Sequence, residues 1–78
     1  DRYTKYVVII NYDKSAYWSV QEVLASAKYI LRSRTINNNE IELVIEIDVK
    51  TEKTMFTNRL SELENVTNVS LVNYKSGI

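Results

Sequence analysis

The segment Glu40 to Lys50, EIELVIEIDVK, limits the fold more than any other part of the chain. Ile41, Leu43, Ile45, Ile47 and Val49 alternate with Glu42, Val44, Glu46, Asp48 and Lys50. Successive strand side chains point to opposite faces, so this period of two predicts a strand with one buried face. Such a strand needs neighbours in a sheet and a layer to cover its apolar side.

The preceding segment supplies one neighbour. Tyr29 to Ile36 reads as a strand, and Asn37-Asn38-Asn39 follows it. Asparagine tolerates positive φ, which suits a hairpin turn. A three-residue turn centred on Asn38 sets Thr35 opposite Ile41, Ser33 opposite Leu43, Leu31 opposite Ile45 and Tyr29 opposite Ile47. Arg32 and Arg34 then join Glu42 and Glu46 on the other face. A two-residue turn would set both arginines among the apolar residues, and burial of unpaired charge is costly. The three-residue turn is therefore expected.

Tyr6 to Asn11 reads as a central strand, because Tyr6, Val8, Ile10 and Val7, Ile9 make both faces apolar. Ser15 to Lys28 reads as a helix, with Val20, Val23, Leu24 and Ala27 at the spacing of one buried face. Asp13 or Ser15 can cap it, and Ser19 with Glu22 has capping-box spacing. Thr54 to Glu64 reads as a second helix, with Phe56, Leu60 and Leu63 on one face and Thr54 as its cap. Val69 to Tyr74 reads as the last strand.

The predicted order is strand, helix, strand, strand, helix, strand. This is the α+β, ferredoxin-like βαββαβ pattern: a four-stranded antiparallel sheet with two helices on one face. The first and third strands are then central. The 78 residues fit one domain, spanning 1-78.

Composition narrows the function. Ten basic residues balance ten acidic ones, so there is no basic excess to attract nucleic acid or an anionic membrane surface. The sequence contains no cysteine and no histidine, which removes thiol catalysis, Ser-His-Asp chemistry and most structural zinc sites. No cofactor, metal or catalytic residue is expected. Glu42, Glu46 and Asp48 form an acidic row that reads as a solvated face with Arg32 and Arg34 as partners. The longest apolar run, Val7 to Ile10, is too short to span a bilayer.

Two surfaces remain. The loop Asn11, Asp13 and Ser15 stands between the first strand and first helix and could meet a small polar ligand, since N–H groups at a helix N-terminus favour anions, although Asp13 would repel one. A helix cap and turn explains the same residues. If the helices cover Val7 and Ile9, then Tyr6, Val8, Ile10 and Tyr12 face away, joined by Val44, Val72 and Tyr74. An uncovered apolar patch of that kind suggests a partner.

RSRTINNNEIELVIEIDVK, followed by FTNRLSELENVTNVSLVNYKSG, resembles the C-terminal domain of an uncharacterised prokaryotic membrane-protein family with MgtC-like organisation. The resemblance is strongest from Arg32 to Gly77 and weaker before it. It implies an ACT-like domain in the cytoplasm, excised from a longer chain with inner-membrane spans. ACT domains bind amino acids or dimerise, and their ligand loop usually holds a glycine. Asn11 to Ser15 has none. The resulting expectation is a non-enzymatic regulatory or assembly domain that forms a homodimer or packs on the membrane region of its own chain, through the sheet face or an exposed edge strand. The alternative is a small-molecule sensor at Asn11, Asp13 and Ser15.

Overall fold

The computed structural model describes residues 4–75. Strand β1 (Thr4–Asp13) leads through a 3-10 turn (Lys14–Ala16) into helix α1 (Tyr17–Leu24). Strands β2 (Tyr29–Asn37) and β3 (Glu40–Ile47) form a hairpin. Helix α2 (Lys53–Ser61) and strand β4 (Val66–Lys75) complete the order. All pairings are antiparallel, and the sheet runs β2-β3-β1-β4. This is the βαββαβ ferredoxin-like arrangement, with β1 and β3 central.

Local chemistry sets the element ends. The Asp13 carboxylate accepts from the Ser15 backbone N–H at 2.8 Å and caps the 3-10 turn. Ala16 precedes α1 and offers no side-chain cap, so the Ser19 and Glu22 box is not used. For α2 the cap is Glu52, which accepts from Met55 N–H at 2.9 Å, and not Thr54. Strand β3 stops at Ile47 because Asp48 turns the chain, accepting from Lys50 N–H through its side chain and from Thr51 N–H through its carbonyl.

The core lies between the sheet and both helices. Ile41, Leu43, Ile45 and Ile47 meet Val20, Val23 and Leu24 of α1 and Phe56 and Leu60 of α2. Residues directly opposite in an antiparallel pair share a face. Tyr12, Ile10, Val8 and Tyr6 stand opposite Ile41, Leu43, Ile45 and Ile47, so they face the helices. Val8, Ile10 and Tyr12 are fully buried there, and Tyr6 packs half-buried against the same cluster. The expected outward placement of these four residues is therefore wrong: the helices cover the even-numbered face of β1. The uncovered face carries Val7 and Ile9, together with Val44 and Val72 as expected. Tyr74 lies outside the residues whose side chains are described.

The hairpin register also departs from expectation. The turn has two residues, Asn38 and Asn39, with Asn38 at φ 57°. It sets Asn37 opposite Glu40, Ile36 opposite Ile41 and Arg34 opposite Leu43. An irregularity between Leu31 and Ser33 absorbs one residue and restores Leu31 opposite Ile45 and Tyr29 opposite Ile47. Arg34 escapes the penalty argued above because the helices do not reach over β2. Every residue of that strand is exposed.

Candidate functional site

The junction between β1 and α1 is tied down on every side. Asp13 N–H donates to the Asn65 carbonyl at 2.9 Å, and Lys14 N–H donates to the Asn39 carbonyl at 2.8 Å. The Asn65 amide donates to the Ser15 hydroxyl at 3.0 Å. The Ser15 backbone N–H holds the Asp13 carboxyl below the ordinary aspartate value, with the Ser15 hydroxyl and the Lys14 charge adding to the effect. Asn11 points the other way, onto the open sheet face. Its amide donates to Glu42 at 3.4 Å, and its oxygen accepts from the Asn68 amide at 3.3 Å. Asp13 and Ser15 are thus brought together as a cap, while Asn11 belongs to a polar row with Glu42 and Asn68. A ligand at this loop would compete with bonds that hold three chain connections together.

Tyr12, beneath this junction, was not singled out as a polar group by its sequence context. Its hydroxyl is buried and has no hydrogen-bond partner among the described residues. Burial pushes its phenol above the ordinary value of 10, while the Arg34 charge pulls it down and Tyr17 adds to the rise. Arg34 acts on the hydroxyl by its charge and by a weak side-chain contact whose geometry falls short of a full hydrogen bond. A buried unpartnered hydroxyl costs about 1–3 kcal/mol. Tyr12→Phe is expected to raise stability to urea by about 1 kcal/mol. The linkage has a definite sign. The raised folded-state value means stability is complete below pH 10 and declines as pH climbs toward the folded-state value, because the unfolded chain loses the proton first. Tyr12→Phe should lose less stability than the parent over that alkaline range, and an equal loss would contradict this reading.

The open face is less apolar than its sequence suggests. Val7 is buried, Ile9 and Val44 are half-buried, and Val72 alone of these four is exposed. β-Branched neighbours on adjoining strands shield one another. Around them stand Lys5, Glu42, Glu46, Asn68 and Ser70. Arg32 donates to Glu46 at 2.6 Å, as the acidic row implied, and being solvent-exposed the pair contributes up to about 1 kcal/mol. Arg34 does not join Glu42, because the register shift turns it to the helix side.

The edges expose more. On β2, Tyr29, Leu31 and Ile36 face the helix side at 39%, 52% and 48% exposure, and Ile30 is exposed on the other side. On β4, Leu71 on the helix side and Val72 on the open side are 43% and 38% exposed. The helices span only eight and nine residues, and although α2 runs beside β4, where Val66 and Val69 join the core, neither edge is fully covered.

A surface groove of about 680 Å³ lies at the far end of β3 from the Asn11–Ser15 loop, lined by Ala27, Lys28, Tyr29, Ile30, Ile47 and Val49, with Glu46 and Asp48. It therefore does not overlap the predicted ligand loop. Among the described residues no group of three acidic side chains is placed to hold a metal ion, and no helix is long and apolar enough to cross a membrane. No protein-family model matches the chain, and no curated protein matches it either.

Proposed function

We propose that this chain is a non-enzymatic assembly domain that associates with a second copy of itself through a free sheet edge. The observation that carries the reading is the concentration of exposed large apolar side chains on the two edge strands. An edge strand presents unpaired N–H and C=O groups, and apolar side chains flanking them add the burial that makes pairing favourable. The open face, which is partly self-shielded, offers less. The resemblance noted above extends the proposal to a cytoplasmic regulatory role beneath the membrane region of a longer chain.

Sedimentation equilibrium of the isolated domain tests the reading. A reversible dimer that forms as concentration rises is expected. A monomer at every concentration up to the millimolar range would overturn self-association.

A further inference from the structure

We infer that the self-associating edge is β4, and that the partner is a second copy of this chain paired antiparallel through the same strand. The inference rests on the assembly reading above and adds which edge forms the contact.

The two edges differ in charge and in regularity. β2 carries Arg32 and Arg34 within nine residues and is irregular between Leu31 and Ser33. Charged side chains and bulges on an edge are devices that discourage pairing. Arg34 lies on the helix side and Arg32 on the open side, so an approaching strand would meet a guanidinium on each face of the sheet.

β4 has neither obstacle over most of its length. From Val66 to Asn73 the strand VTNVSLVN carries no charge. Its single irregularity lies at its beginning, between the pairs Asn11–Asn68 and Tyr12–Val66. Beyond Asn68 the register with β1 is regular. Leu71 and Val72 expose apolar surface on opposite faces of this regular stretch. Ser61 of α2 lines a groove against Val66, Thr67, Asn68 and Val69.

A two-fold axis through Leu71, perpendicular to the sheet, keeps both helix layers on one side. It sets Leu71 against Leu71 of the partner subunit on the helix side. On the open side Val72 meets Ser70 of the partner subunit. All of these groups are uncharged, and both exposed apolar side chains gain cover. The product is a continuous eight-stranded sheet.

The test uses lysine substitutions at one edge or the other, read by sedimentation, with circular dichroism to show that each variant folds. Leu71→Lys is expected to weaken the dimer by about tenfold or more. Asn73→Lys, at an exposed position, provides the same test where folding is least affected and is expected to act in the same direction. Leu31→Lys on β2 should leave the dimer intact. Because the chain has no cysteine, Leu71→Cys adds a single thiol, and oxidation should give a covalent dimer. If Leu31→Lys dissolves the dimer and both β4 variants keep it, the choice of β4 is overturned and the assembly reading stands. If the parent chain never dimerises, both fall.

Discussion

Replacing Ile10 with alanine is expected to cost about 2–5 kcal/mol, the usual penalty for emptying a large buried aliphatic site. A domain of this size has roughly 4–12 kcal/mol in total. Ile10→Ala should therefore remove a large fraction of the stability and lower the urea midpoint accordingly. Ile9→Ala, one residue away, should cost only about 1 kcal/mol, since Ile9 is half-buried on the open face and loses mainly contacts with Val44 and its neighbours. Urea denaturation of the two variants measures the difference. Equal losses, or the reverse order, would mean that the helices cover the other face of β1.

The second large effect is expected at Asn65. This residue sits at φ 69°, in the left-handed region, between α2 and β4. In that conformation its carbonyl receives the Asp13 N–H and its amide reaches the Ser15 hydroxyl. A β-branched residue is strongly disfavoured there. Asn65→Val should cost about 2 kcal/mol, counting the left-handed backbone and the lost amide bond. Asn65→Gly keeps the backbone accessible and should cost less than about 1 kcal/mol. Thermal or urea unfolding of the pair separates these values. If the glycine variant suffers as much as the valine one, the side-chain bond and not the backbone carries the effect.

Much of the architecture was legible because it rests on periodicity. The alternation of Ile41, Leu43, Ile45 and Ile47 is strong enough to fix a strand and its buried face, and all four are buried. The helical spacing of Val20, Val23 and Leu24, and of Phe56 and Leu60, marked the faces that meet it. The helices are shorter than their periodicity predicts, since α1 ends at Leu24 and α2 at Ser61, while Ala27 and Leu63 still pack against the core from the turns that follow.

The face of β1 was misread for an identifiable reason. Both faces of Tyr6 to Ile10 are apolar, so these inner residues do not decide between them. The ends do. Lys5, Asn11 and Asp13 share parity with Val7 and Ile9, and three polar groups mark that face as the open one. Extending the strand by one residue before Tyr6 and two beyond Asn11 would have placed Val8, Ile10 and Tyr12 in the core.

The hairpin error has a different origin. The penalty for burying Arg32 and Arg34 applies only to a covered strand, and coverage depends on where two short helices dock. Nothing local to Tyr29–Asn37 encodes that. The choice between the sheet face and an edge strand is not legible for the same reason. Exposure on β2 and β4 reflects how far the helices reach, and only the packed structure shows it. Asp13 and Ser15, by contrast, were readable as a cap from their positions before α1, and they act as one.

The central claim is association through a free edge, and backbone amide exchange followed by NMR at low and high protein concentration tests it most directly. The account predicts that the outward-facing amides of β4, between Asn68 and Asn73, become protected as concentration rises, while those of β2 keep exchanging. Exchange at both edges that does not change with concentration would contradict it.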